Sequence, residues 1–223
     1  MTATVAAWLD RHITLHTHDD PQAELMNSLT HAFGAILAAI ALVVVLFSLP
    51  AIPTLALRTG FIVWALSMLL LYSVSAAYHA IPHGTTKRLF RLFDHSSIYI
   101  LIAGTYTPLL LYIATTKAIG ILALVWAIAA VGILLTVLFW QRFKILHVAC
   151  YVVMGWLILF FAKDIFPLLP AGLLGWVIAA GVTYTSGLIF YGNKRIPHYH
   201  AIWHLFCIGG SALFFIGYFR TLI

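Results

Sequence analysis

Four polar patterns interrupt an otherwise apolar chain of 223 residues. Ser75 and His79 stand four apart, as do His200 and His204, so in a helix each pair shares one face. The two members of a pair then lie one turn, about 5.4 Å, above one another. Asp94-His95-Ser96-Ser97 is the third pattern and Asn27-Ser28-Leu29-Thr30-His31 the fourth. Three imidazoles with one carboxylate suit a zinc ion: two ligands from an i,i+4 pair, a third from another helix, and a fourth position left to water. An incomplete protein ligand set is the catalytic pattern, in which the metal makes a nucleophile available near neutral pH. Asp94 could hold and deprotonate that water, with Ser75 or His31 supporting from outside the ligand set. Each residue also has a structural reading. Asp94 ahead of Ser96 and Ser97 fits a helix N-cap, and Ser75 can bond back to the carbonyl of Leu71. His79 near a helix end can be solvated by lipid head groups, and one HxxxH pair alone is a weak metal signal.

The elements that must position these residues follow from composition. Hydrophobic residues make up 63% of the chain and charged ones 8%, far below the quarter or so usual in soluble domains. So few charges cannot cover a soluble surface, which excludes a soluble globular enzyme. Disordered and nucleic-acid-binding chains are excluded too, because they need polar or clustered basic sequence. Apolar runs between clusters of Pro, Gly and charge predict seven spans, 27–49, 59–81, 95–114, 119–140, 145–163, 170–191 and 199–220. Their length and lack of strict alternation make them helices, so the fold class is all-α: a seven-helix transmembrane bundle, residues 27–223, behind a polar tail, residues 1–26. No cleavable signal peptide is evident. Pro108 should bend the third span near Gly104. Ala171, Gly175 and Ala179 predict close helix packing. Cys150 and Cys207, inside apolar runs, read as packing residues rather than a disulfide framework.

Orientation follows from loop cations. The N-terminal tail and the loops after spans 2, 4 and 6 carry Arg11, Lys87, Arg88, Arg91, Arg142, Lys144, Lys194 and Arg195, eight in all, against Arg58, Lys117, Lys163 and Arg220, four, on the other side. The N-terminus is therefore expected in the cytoplasm and the C-terminus outside. The net charge of +6 implies attraction to anionic head groups. The end of span 2 and the starts of spans 1, 3 and 7 then share the cytoplasmic side, so all four polar patterns converge at one depth. Of the 11 histidines, His12, His16 and His18 read as tail residues, and His83, His95, His147 and His198 as loop or interface residues.

Ser75-x-x-x-His79, then Asp94 through Pro108, then His200-x-x-x-His204, resemble the hemolysin III branch of the progestin and adipoQ receptor (PAQR) superfamily, and Glu24-x-x-Asn27-x-x-x-His31 fits the same pattern. The resemblance covers about residues 24–220. It implies a seven-helix fold with a cytoplasm-facing zinc site. Its ligands would be His79, His200 and His204, with Asp94 holding water, Ser75 beside it, and His31 and Asn27 supporting the site. Kinship with alkaline ceramidases implies zinc-dependent hydrolysis of a lipid amide or ester, with membrane lipids as partners. The chain lacks the long N-terminal segment and the large outer loops of the hormone receptors, so receptor function is not expected. Two rival readings are a non-enzymatic membrane sensor or homeostasis factor stapled by zinc, and a cytolytic pore. No span carries the repeated polar stripe that the pore needs.

Overall fold

The computed structural model describes residues 2–15, 20–140 and 144–223. His16, His18 and Arg142, which entered the histidine and cation counts, lie outside the described residues. Among the described residues all regular structure is helical: α1 (Ala3–His12), α2 (Pro21–Ser48), α3 (Leu55–Ala80), α4 (Thr85–Ile113), α5 (Thr116–Phe139), α6 (Lys144–Gly155), α7 (Ala162–Ile165), α8 (Leu173–Gly192) and α9 (Tyr199–Thr221). Among the described residues six helices are long and apolar enough to cross a membrane, and the number rises to seven if a bent pair is one span. Helix starts are written locally. The Asp20 side chain accepts from the Gln22 N–H with Pro21 in the first turn, and Thr54 and Thr115 cap α3 and α5 through the N–H groups of Leu57 and Ala118.

The helices pack in sequence order, α2 on α3, α3 on α4, α4 on α5 and α8 on α9, and α2 also meets α9, so the first and last spans are neighbours. On α2 the outward stripe Phe33, Ile36, Ile40, Val43 and Phe47 is apolar and exposed, whereas the buried face opens with Asn27 and His31. An apolar exterior around a partly polar interior is the pattern of a helix bundle in lipid.

Three expectations are corrected. First, α4 starts at Thr85, ten residues ahead of the predicted 95, so Asp94 lies inside the helix and is not its N-cap. Lys87 and Arg91 are accordingly buried helix residues, not loop charges. The chain ahead of the first span makes this early start stable. Leu9 and Ile13, in and just after α1, are buried with Leu92 and Trp140. Arg88 pairs with Asp10 at 3.0 Å and donates to the Ile13 carbonyl, and Arg91 donates to the Thr14 carbonyl. Polar residues that would otherwise break the helix thus find partners across it. Second, the predicted 145–163 span is broken. Leu146–Gly155 and Leu157–Leu168 meet at 42°. The cause is a side chain inserted into the helical ladder. The Tyr106 hydroxyl accepts from the Ile158 N–H at 3.1 Å and donates toward the carbonyls of Met154 and Gly155, at 3.1 and 2.9 Å. Tyr106→Phe keeps the ring but strands these backbone groups, and should lower stability by about 1–2 kcal/mol in detergent unfolding measurements. Third, nothing among the described residues lies within 4 Å of where a Cβ on Gly175 would sit. Close packing of α8 on α9 occurs instead at Gly187, against Trp203 and Phe206, and at Gly210, against the Tyr184 ring.

His95 and His147 also depart from the loop reading, since both lie in helices. His147 is buried, its Nδ1 3.4 Å from both the Tyr99 and Thr136 hydroxyls.

Candidate metal centre

His79 occupies the last turn of α3, which stops at Ala80 because Pro82 disfavours helix in the residue before it. His200 and His204 lie on the first turns of α9, which starts after Pro197 and the left-handed His198 (φ 54°). Since α3 ends where α9 begins, the three rings meet at one end of the bundle. Their centroids are 5.0 Å (His79–His200), 5.3 Å (His79–His204) and 4.6 Å (His200–His204) apart. Each ring offers one nitrogen, and these nitrogens lie within 4.8 Å of one another.

Hydrogen bonding selects the nitrogen on two of the rings. His204 Nδ1 faces the Asn27 carbonyl at 3.1 Å and the Thr30 hydroxyl at 3.0 Å. A carbonyl can only accept, so Nδ1 carries the proton and the Nε2 lone pair is left for a ligand. His79 Nδ1 faces the Glu24 carboxylate at 3.0 Å, which again requires Nδ1–H. The remaining Nε2 of His79 is buried with no hydrogen-bond partner among the described residues. A buried orphan lone pair beside two further imidazoles fits a metal ion, and the outer acceptors are those that metal-bound histidines use.

Around this cluster the structure gathers the other residues singled out in the sequence. The Asp94 carboxylate is buried, lies close enough to act electrostatically on His31, His79 and His200, and has Ser75 beside it. His95 Nδ1 sits 3.3 Å from Asp94 Oδ2 and 3.0 Å from the Arg91 carbonyl. His31 stacks flat on His204, with centroids 3.4 Å apart and planes 14° from parallel, and closes the α2 side of the centre. Neither nitrogen of His31 has a hydrogen-bond partner among the described residues, and His31 is not one of the three clustered ligands. Asn27 acts on His204 through its backbone carbonyl, and its side-chain amide donates to Glu24 Oε1 at 3.5 Å.

A family model described as "Haemolysin-III related" matches residues 20–215, nearly the whole chain. The chain belongs to this family. It is 40% identical over 194 residues to "Hemolysin-3" of Bacillus cereus, spanning 86% of this chain and 88% of that one. It is 39% identical over 193 residues to "Hemolysin-3 homolog" of Bacillus subtilis (strain 168), spanning 86% and 91%. It is also 25% identical over 171 residues to "Monocyte to macrophage differentiation factor" of Homo sapiens, spanning 72% and 69%. The resemblance to the hemolysin III branch of the PAQR superfamily is borne out, and the six to seven apolar helices make this haemolysin-III-related chain a multi-pass membrane protein.

Two residues of the centre drew no functional role from the sequence. Glu24 bonds His79 and, through its other oxygen, Lys87 Nζ at 2.5 Å. Lys87 is among the largest fully buried side chains of the described residues. A signal for Glu24 was present, since Glu24, Asn27 and His31 follow i, i+3, i+7 spacing and share a helical face. For Lys87 none was, because its partners come from α2 and from the end of α3.

Proposed function

We propose that this protein is a zinc-dependent hydrolase of a membrane lipid amide or ester, with its centre on the cytoplasmic side, the N-terminus inside and the C-terminus outside. The observation that carries the reading is a three-histidine cluster in which His79 and His204 are buried with Nε2 left free, near a buried carboxylate that is not one of its ligands. His79, His200 and His204 would hold the ion. A zinc ion bound there supplies Lewis acidity toward a carbonyl and toward water. Asp94 takes the proton of the water whose oxygen adds to the acyl carbon, and passes it to the leaving nitrogen or oxygen as the C–N or C–O bond breaks. Ser75 and His95, both beside the carboxylate, hold it in position. The cations at this end of the bundle, Arg11, Arg88, Lys194 and Arg195 among them, support a cytoplasmic placement.

Asp94→Asn keeps the size of the side chain and removes the base. Purified protein in liposomes containing ceramide or an acyl ester should lose turnover by about 10²–10⁴-fold on this change, with zinc content retained. Turnover unchanged by Asp94→Asn would sink the mechanism. A second reading, zinc as a staple between α3 and α9, is favoured by the division of the ligands between those two helices. It predicts zinc-dependent thermal stability and no turnover on any lipid.

A further inference from the structure

Two side chains from two other helices stand in line behind His79. Lys87, on the first turn of α4, gives one proton to Glu24 Oε2 at 2.5 Å and another to the Ile81 carbonyl at 3.1 Å. Glu24, on the first turn of α2, turns its other oxygen to His79 Nδ1 at 3.0 Å. The Ile81 carbonyl is one of those that the C-terminus of α3 leaves without a helical partner. Lys87 therefore ties down the backbone just past His79 as well as the carboxylate that holds its ring. Lys87 is 2% exposed and also lies over the Tyr78 ring, 5.0 Å from its centroid. A cation this buried is expensive without partners. Its two acceptors offset that cost, and they belong to the residue that orients His79 and to the helix that carries it.

We infer that Glu24 is the positioning residue of the metal centre, and that Lys87 and Glu24 act as a relay fixing which nitrogen of His79 faces the ion. The inference rests on the metal reading above and is independent of hydrolysis. The chemistry is directional. A carboxylate accepts on both oxygens, so it can take a proton from Lys87 and one from His79 Nδ1 at once, which keeps Nε2 free. An amide in its place, as in Glu24→Gln, cannot. Lys87 has only donors, so the amide would turn its carbonyl to the ammonium and its NH₂ to His79. The NH₂ then donates to Nδ1, the ring proton moves to Nε2, and the lone pair the metal needs is gone. Removing the ammonium frees the amide to turn round, with its carbonyl accepting from Nδ1–H.

This predicts a rescue that a packing role does not. Zinc affinity, measured on full-length purified protein in detergent by competition with a chelator of known affinity, should fall about 10–100-fold in Glu24→Gln. The double variant Glu24→Gln/Lys87→Met should regain most of that loss, although it removes more native contacts. Cobalt(II) titration followed by visible absorption should give the same order of affinities. Affinity of Glu24→Gln within twofold of the parent, or a double variant weaker than Glu24→Gln, overturns the relay while leaving the zinc reading intact. A parent that binds neither ion overturns both. If Glu24→Gln does not fold, the double variant decides alone: affinity within about tenfold of the parent supports the relay, and a loss beyond about tenfold overturns it.

Discussion

If His79, His200 and His204 hold zinc as proposed, replacing His204 by alanine should abolish metal binding. Elemental analysis of the purified parent should find about one zinc per chain, the occupancy of a single three-ligand site. His204→Ala should reduce it to background, a loss of affinity well beyond the 10–100-fold that follows removal of an outer partner. Two imidazoles on different helices, His79 and His200, do not make a site of comparable strength. The substitution does more than delete a proposed ligand. It leaves the Asn27 carbonyl and the Thr30 hydroxyl without the Nδ1–H they accept from, and it uncovers the face of His31 that stacks on the ring. His31→Ala is the matched control. It removes the other half of the same stack, but His31 is not one of the clustered ligands, so zinc content should persist with lower thermal stability. Equal zinc in His204→Ala and the parent would remove His204 from the ligand set.

Gly104→Val should separate α3 from α4 and disable the centre from a distance. A Cβ on Gly104 would come 2.8 Å from the Ser67 Cβ, even closer to the Ser67 hydroxyl, and 3.6 Å from the Trp64 Cα. Ser67 donates to the Trp64 carbonyl at 2.7 Å, and both residues are buried, so the neighbour has little room to give. Small residues at such a crossing let helices approach in lipid, where dispersion contacts replace the hydrophobic effect as the main attraction. Overpacking here should cost about 3 kcal/mol or more. The functional reach of the change follows from what the two helices carry: Ser75 and His79 on α3, Asp94 on α4. Moving one helix against the other shifts the carboxylate relative to the imidazoles. Unfolding in detergent should show the loss of stability, and chelator competition should show weaker zinc binding even in the fraction that remains folded. A Gly104→Val protein as stable as the parent would mean that α3 and α4 can part without cost.

Much of this architecture was legible in the sequence because lipid makes the code simple. A segment that crosses the hydrocarbon must satisfy its own backbone, so long apolar runs become helices. Ser75 with His79, and His200 with His204, were legible as pairs because i,i+4 spacing shares a face whatever the surroundings. What failed did so where one helix depends on another. Asp94 reads as an N-cap only if the helix starts there, and α4 starts earlier because the chain around α1 supplies partners for Arg88 and Arg91. The 145–163 run reads as one span, and only the Tyr106 hydroxyl, arriving from α4, breaks it.

The sequence by itself determined the family, the helical class, most of the apolar spans and the histidine pairs, all of which depend on composition and on neighbours a few residues apart. The tertiary structure decided the rest. It set how the centre is held: Glu24 on His79, Lys87 on Glu24, the Asn27 backbone on His204, and His31 laid flat as a wall. The first three of these contacts join residues 55, 63 and 177 positions apart. The physical reason is range. Helical periodicity carries information over a turn or two, whereas the orientation of an imidazole is set by whichever acceptor the packing of other helices brings to its second nitrogen.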